Sequence, residues 1–309
     1  MRILITGATG FIGSALATAL AARGHEVIAC SHRRSADGGD RCAVDYMRDV
    51  DAAAWLPRLA GVDAVINAVG ILRESPDASF DALHHRAPAA LFRACEAAGV
   101  KRVIQISALG ADDHATSAYH LSKKAADDKL RQVGLDWTVV QPSVVFGQDG
   151  ASTRLFLLLA SLPIIPLIGR GEQTMQPIHV DDLAALIIKL LEEGRGIKKT
   201  VQAIGPRAVT LREMLCHYRA GMRLAHTALL PVPIPLIRLA ARCGDVLKSG
   251  ALSTETLAML LRGNAGDVRE TNAILGHAPR PVDEFIRQNE ADLLRTRAVW
   301  QWLRPLLLA

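Results

Sequence analysis

The sequence predicts an α/β chain: a doubly wound parallel sheet with a smaller C-terminal lobe. Three observations predict it. Short apolar runs alternate with amphipathic stretches through the first half, glycines at positions 7, 10 and 13 separate the first run from the first such stretch, and the composition is globular. Half of the 309 residues are apolar and 22% are charged, which excludes a disordered or fibrous chain. The length suffices for one large unit with an appended lobe.

The elements follow in order. Arg2 to Thr6 reads as a strand and Phe11 to Arg23 as a helix with apolar residues at helical spacing, stopped by Gly24. His25 to Ser31 is a second strand, and Val62 to Asn67 a third after a helical stretch over Asp51 to Leu59. Lys101 to Ser107 follows the Ala-rich helix Phe80 to Ala98, and Trp137 to Gln141 follows the helix Ala118 to Val133. Strands this apolar need cover on both faces, which βαβ crossovers supply. After Gly147 the pattern changes. Leu155 to Ile168 is apolar, holds Pro163 and Pro166, and is too short to span a bilayer. Asp182 to Glu193 reads as a helix returning to the main unit, and Thr210 to Met222 as a helix opened by a capping box with Glu213. The expected division is a nucleotide-binding unit over 1–150, rejoined by 176–204, and a lobe made of 151–175 and 205–309.

The segment TGATGFIG carries the first functional signal. Gly7, Gly10 and Gly13 lie between a strand and a helix, where glycine permits a tight turn and lets backbone approach a pyrophosphate; Thr9, Phe11 and Ile12 complete the turn and the helix start, with its free N–H groups and positive dipole end. This is the Rossmann arrangement for a dinucleotide. An acid at the end of the second strand would read a ribose 2′-hydroxyl, but the segment is Cys30-Ser31-His32-Arg33-Arg34. Arg33 or Arg34 could clamp a 2′-phosphate with Ser31 as a further donor, so NADP(H) is preferred over NAD(H). An ordinary solvated basic loop is the alternative. Asp45 could accept from an adenine amino group or simply occupy a turn.

With these motifs in view, the sequence resembles the short-chain dehydrogenase/reductase superfamily in its extended or atypical branch. The resemblance rests on TGATGFIG, NAVG at Asn67 to Gly70, the strand end at Ser107, YHLSK at Tyr119 to Lys123, QPSVVFG at Gln141 to Gly147 and PIHVDD at Pro177 to Asp182. VINAVGIL, SALGAD and QPIHVDDLA most resemble the bacterial relatives of the dehydrogenase-like accessory subunit of respiratory complex I. The resemblance implies a catalytic set in which Ser107 orients the substrate oxygen, Tyr119 transfers the proton, and Lys123 binds the nicotinamide ribose and tunes Tyr119. It implies cofactor contacts from Asn67, Ala68, Gly70, Pro142 and Ser143. The Tyr-Lys pairing also follows from helix spacing, since residues four apart share a face and a cation favours phenolate. The branch often carries two adjacent hydroxyl residues at the strand end, whereas here Ser107 precedes Ala108.

The remaining signals bound the function. Aromatic content of 4% and scattered basic residues with net charge +5 argue against nucleic acid as partner. The five cysteines form no C-x-x-C pair, and no histidine or cysteine set has metal spacing, so no metal is expected; His84 and His85 read as solvated or capping. No leader opens the chain, which points to the cytoplasm, with the inner face of the membrane also admitted. The apolar stretches Leu155 to Ile168 and Leu229 to Leu239 suit either a hydrophobic substrate or a packed core, and Val299 to Ala309 either a docked helix or a peripheral or C-terminal membrane contact. A homo-oligomer is compatible. Three functions are weighed: an NADP(H)-dependent oxidoreductase acting on a carbonyl or alcohol of a small-molecule substrate, a non-catalytic NAD(P)H-binding assembly or sensor protein of a membrane redox complex, and a nucleotide-sugar epimerase or dehydratase.

Overall fold

The computed structural model describes residues 1–32, 41–247 and 253–307. Along the chain, β1 (Arg2–Thr6), α1 (Phe11–Ala22), β2 (Glu26–Ser31), β3 (Arg41–Ala43), α2 (Ala52–Trp55) and β4 (Ala64–Asn67) come first. Then follow α3 (Ala87–Ala97), β5 (Arg102–Ile106), α4 (Ala118–Arg131), β6 (Asp136–Pro142), β7 (Val145–Phe146), α5 (Ala151–Ser161), β8 (Ile164–Ile168), β9 (Thr174–Met175) and β10 (Ile178–His179). The chain continues through α6 (Val180–Glu192), β11 (Lys199–Ala203), β12 (Val209–Thr210), α7 (Leu211–Gly221), β13 (Ala228–Val232), α8 (Ile234–Leu247), α9 (Thr254–Arg262), α10 (Arg269–Leu275) and α11 (Ala291–Leu307).

Two compact units result. The first comprises Met1–Pro142, Asp181–Ala203 and Ala273–Gly276; the second comprises Ser143–Val180, Ile204–Asn272 and His277–Ala309. In the first, seven strands form one sheet in the order β11-β6-β5-β4-β1-β2-β3, every neighbouring pair parallel. This is the doubly wound Rossmann-type α/β fold that the alternating pattern predicts. Central β4 and β5 are buried at every position, as a sheet covered on both faces requires. The order reverses between β1 and β4, so the carboxyl ends of these two strands flank the crevice where such sheets take ligands.

The single helix expected over Phe80 to Ala98 is two. Asp81–Arg86 is a π-helical turn, and α3 takes over at Ala87. Pro88 has no N–H to give the His84 carbonyl, so the regular ladder cannot run through this point. Similarly, the stretch over Asp51 to Leu59 tightens to a 3₁₀ turn at Leu56–Leu59, which contains Pro57.

The second unit has its own core around Phe146, Tyr218 and Phe285. Leu155 to Ile168 resolves into most of α5 and all of β8, the break falling at Pro163; β8 pairs in parallel with β13. Thr210 caps α7 with the expected box: its Oγ1 accepts from Glu213 N–H at 3.1 Å and Glu213 accepts from Thr210 N–H at 2.7 Å. No helix among the described residues is long and apolar enough to cross a membrane.

Candidate functional site

The glycine turn is built by contacts that exclude a Cβ. Gly7 has φ +69°, and a Cβ there would stand 2.8 Å from the Ala68 carbonyl oxygen. At Gly13 a Cβ would meet the Gly7 oxygen at 2.1 Å, so this glycine serves the packing of α1 on the turn. Gly10 N–H donates to Gly7 O at 2.9 Å and closes the turn. Gly10 is also the N-cap of α1, which has no side-chain cap and no acid in its first turn. The first N–H groups of a helix, here at Phe11, Ile12 and Gly13, have no partner inside it, so this end of α1 suits an anion.

A cavity of about 270 Å³ opens onto this turn. Gly7, Thr9 and Gly10 form one wall and Ala68, Val69 and Gly70 another. Ser31, His32, Tyr46 and Met47 also line it. The shape is an open trough with an uncapped helix end beside it, which fits a dinucleotide pyrophosphate. Nothing in the sequence marks Tyr46. Its hydroxyl accepts the Gly7 N–H at 2.9 Å, tying the segment after β3 to the turn. Asp45, its neighbour, accepts from Met47 N–H at 3.0 Å and lies 3.6 Å from Arg48, a turn arrangement outside the cavity lining. Arg33 and Arg34 lie outside the described residues.

At the end of β4 the NAVG segment divides its tasks. Asn67 is buried, accepts from Thr6 Oγ1 and donates to Gln105 Oε1 at 2.6 Å, so its amide is committed inside the sheet across β1 and β5 while Ala68 and Gly70 face the cavity. Gly70 also lies close to a side chain: a Cβ there would stand 3.1 Å from Lys123 Nζ. Lys123, 3% exposed, donates to Val69 O at 2.9 Å and Ile106 O at 3.1 Å. Burial pushes its ammonium down to about 8, partly offset by the Asp127 carboxylate.

His84 is neither solvated nor a cap, as its sequence position suggests. It is 1% exposed and lies on the π-helical turn. Its Nε2 accepts from Ile71 N–H at 2.9 Å, so in the neutral ring Nδ1 carries the proton and donates to Ser122 Oγ at 2.8 Å; Ser122 donates onward to Tyr119 O at 2.7 Å. Burial first, then the Lys123 cation, push His84 down to about 2 and keep it neutral. The chain of bonds ties the β4 loop to the turn of α4 that carries Tyr119. His85 stays at the surface beside Asp81, 3.1 Å away.

Tyr119, Lys123 and Asp127 recur every fourth residue along α4. Tyr119 is half-buried among the rings of Phe80, His84 and His120, with centroids 6.1, 5.5 and 5.3 Å away. Its phenol is pushed up to about 12 by burial and by the Asp127 carboxylate. That is opposite to the direction expected from a lysine four residues on. The Lys123 ammonium donates instead to two backbone carbonyls. Ser107, buried at the end of β5, donates to Asp127 Oδ2 at 2.6 Å, a partner the sequence does not suggest. The other oxygen, Asp127 Oδ1, is buried with no hydrogen-bond partner. Burial, opposed by the Ser107 bond, raises Asp127 from 3.8 to about 7.

This last shift gives a stability prediction. Asp127 holds its proton in the folded chain between about pH 4 and 7 but releases it when unfolded, so its contribution is full below pH 4 and is lost as pH rises through 7. The whole window is worth up to about 4 kcal/mol. Asp127→Asn removes the titration. Wild type should therefore gain on the variant as pH falls from 8 to 5, read as the gap between their denaturant midpoints. A gap constant with pH would refute this.

Among the other marked residues, Pro142 ends β6 in the first unit and Ser143 opens the second, its hydroxyl donating to Asn264 O at 3.2 Å. His179 packs on Phe146 and Phe285 in the second core, with ring centroids 5.7 and 5.6 Å apart. Among the described residues no group of three or more His, Cys, Asp or Glu could hold a metal ion.

Comparison with known proteins places the family and the fold. The profile of the NAD dependent epimerase/dehydratase family matches residues 3–205. NADH dehydrogenase [ubiquinone] 1 alpha subcomplex subunit 9 from Arabidopsis thaliana is 32% identical over 68% of the chain and 55% of its own length. A ceramide reductase from Caulobacter vibrioides is 30% identical over 60% of the chain and 59% of its own length. The chain thus spans little more than half of each relative. Among solved structures, a human epimerase family protein with NADPH superposes with TM-score 0.70 at 23% identity, covering 97% of this chain and 99% of that one. A UDP-glucuronic acid 4-epimerase from Bacillus cereus, bound to UDP-glucuronic acid and NAD, gives TM-score 0.70 at 17% identity over 96% and 99%.

Proposed function

The chain belongs to the NAD dependent epimerase/dehydratase family, within the extended branch of the short-chain dehydrogenase/reductase superfamily, and we propose that it is an NADP(H)-dependent oxidoreductase acting on a carbonyl or alcohol of a small, hydrophobic substrate. One observation carries the reading: Lys123, on the helix that also bears Tyr119, is buried against Gly70 of the cavity wall and held by the Val69 and Ile106 carbonyls. A buried ammonium is costly to keep unless it has a task.

Bound NADP(H) supplies or accepts the hydride. The rest falls to this chain. The glycine turn and the N-terminus of α1 hold the pyrophosphate. Two of the three Lys123 hydrogens are taken by Val69 and Ile106, which leaves one for a ribose hydroxyl. In the direction of reduction, Tyr119 Oη gives its proton to the substrate oxygen as that oxygen becomes an alkoxide. A phenol at about 12 is fully protonated at neutral pH, yet far more acidic than the alcohol it forms. Ser107 positions through Asp127: when Asp127 is protonated it can donate to Ser107 Oγ, freeing the Ser107 hydrogen to point at the substrate oxygen.

The preference for NADP(H) rests on the basic pair Arg33 and Arg34 after Ser31 and on the absence of an acid there. Calorimetric titration should give NADPH at least about tenfold tighter than NADH, which corresponds to about 1.4 kcal/mol. Arg33→Ala with Arg34→Ala should remove most of that difference. Equal or tighter NADH binding would sink the preference.

The second reading is a nucleotide-binding component of a membrane redox complex, without turnover. It is favoured by the plant complex I relative and by α8, where Leu236, Leu239, Ala240 and Cys243 form an exposed stripe at helical spacing flanked by Arg238 and Arg242. It predicts tight NADPH binding with no reduction across a panel of carbonyls and quinones, and retention of the protein on anionic vesicles. For the hydrophobic substrate, the support is the named substrate of the bacterial ceramide reductase.

A further inference from the structure

We propose that Cys30 and Cys42 are a dithiol pair, a modification site that a small disulfide such as glutathione disulfide oxidises to an intramolecular cystine. The two are twelve positions apart and belong to no sequence motif. The sheet brings them together: β2 and β3 pair in parallel with Cys30 directly opposite Cys42. Opposed residues on neighbouring strands project to the same face, with backbones about 4.8 Å apart, inside the roughly 4.4–6.8 Å range of Cα separations that disulfides span. Both side chains pack into the same core as Val44, Tyr46 and Trp55. Among the described residues β3 is a three-residue edge strand, which lets it shift toward β2.

The two sulfurs have different surroundings, which sets their order of reaction. Cys30 is wholly buried, and the neighbouring Cys42 thiol, then burial, raise its thiol. Cys42 is half-buried, and both the Cys30 thiol and the Arg58 cation favour its thiolate. Cys42 Sγ therefore attacks the small disulfide, forming a mixed disulfide and releasing one thiolate. Cys30 then attacks Cys42 Sγ, its own proton passing to the second small thiol that leaves. In total one small disulfide is reduced to two thiols, and two cysteines are oxidised to one cystine.

The bond would cross-link two segments that end at the cavity. β2 runs into Ser31 and β3 leads to Tyr46 and Met47, and Val44 N–H donates to Ser31 O at 3.0 Å between them. Drawing β3 inward displaces Tyr46, whose hydroxyl holds the Gly7 N–H. We expect weaker NADPH binding after oxidation, by about threefold or more, under 1 kcal/mol at the lower bound. This consequence rests on the proposed cofactor; the cystine itself does not.

The test oxidises the full chain with glutathione disulfide, alkylates remaining thiols and maps peptides by mass. The expected product has lost two hydrogens, joins the peptides of Cys30 and Cys42, and carries alkylated Cys95, Cys216 and Cys243. Cys42→Ser should leave all four remaining thiols alkylated, and Cys30→Ala should stop at a glutathione adduct on Cys42. Five alkylated cysteines in wild type, an adduct on Cys42 that never resolves, or a cystine through Cys216 or Cys243 would each overturn the proposal. If the reduced protein binds no NADPH while the Cys30–Cys42 cystine forms, it is the cofactor reading that fails.

Discussion

Tyr119→Phe is expected to lower turnover by about 10²–10⁴-fold, the range for loss of a positioned proton donor, while NADPH affinity stays within about twofold. The ring is held by Phe80, His84 and His120, and the helix by the Ser122 and His84 bonds, none of which needs the hydroxyl. Removing one oxygen therefore keeps these ring and helix contacts. Lys123→Met should act differently. It deprives the Val69 and Ile106 carbonyls of their donor, so affinity and turnover should fall together. In wild type, activity that needs the Lys123 charge should decline above about pH 8, since burial has brought its ammonium down to that value. Steady-state and single-turnover rates over a carbonyl and quinone panel, with binding measured by calorimetry, check all three. Equal rates for wild type and Tyr119→Phe would remove Tyr119 from the chemistry. No turnover in wild type despite tight NADPH binding would favour the non-catalytic reading.

Gly13→Ala is expected to abolish measurable dinucleotide binding and to destabilise the fold by about 3 kcal/mol, the upper part of the usual range for overpacking. A methyl at Gly13 would lie 2.1 Å from Gly7 O and 2.8 Å from Gly7 C, both backbone atoms that cannot rotate away. Relief requires α1 to move off the turn, which also takes its N-terminus from the cavity. The thermal midpoint should drop by roughly 5 °C or more. Gly24→Ala is the control. Gly24 has φ +81°, but a methyl there would meet no atom within 4 Å, so only backbone strain of about 1 kcal/mol is expected, and binding should persist. If Gly13→Ala matched wild type in both melting and binding, the turn would be looser than its contacts imply.

Legibility in the sequence follows the range of the interaction. The βα alternation, the capping box at Thr210 and the packing of Gly10 and Gly13 on Gly7 can be read because each is decided within a few residues. A continuous helix over Phe80 to Ala98 fails at Pro88, whose missing donor interrupts the regular ladder, so a π-helical turn precedes α3. Asn67 is visible as part of its motif, but its amide bonds Thr6 and Gln105, 61 and 38 residues away, which no local pattern reveals. Asp127 is an ordinary acid on a helix until β5 sets Ser107 against it. Tyr46 escapes notice for the same reason, since its partner Gly7 lies 39 residues away.

The doubly wound α/β class, the glycine turn and the presence of Tyr119 and Lys123 on one helix follow from the sequence alone, since helical period, strand period and the steric demands of a turn are local properties of the chain. What these groups face is settled only by the tertiary fold. The strand order places Val69 and Ile106, 54 and 17 residues from Lys123, around its ammonium, aligns Cys30 with Cys42, and buries Asp127 where its proton is held to near neutral pH. Partners, burial and the resulting charge states depend on which distant segments the sheet makes neighbours, and that is a property of the packed molecule.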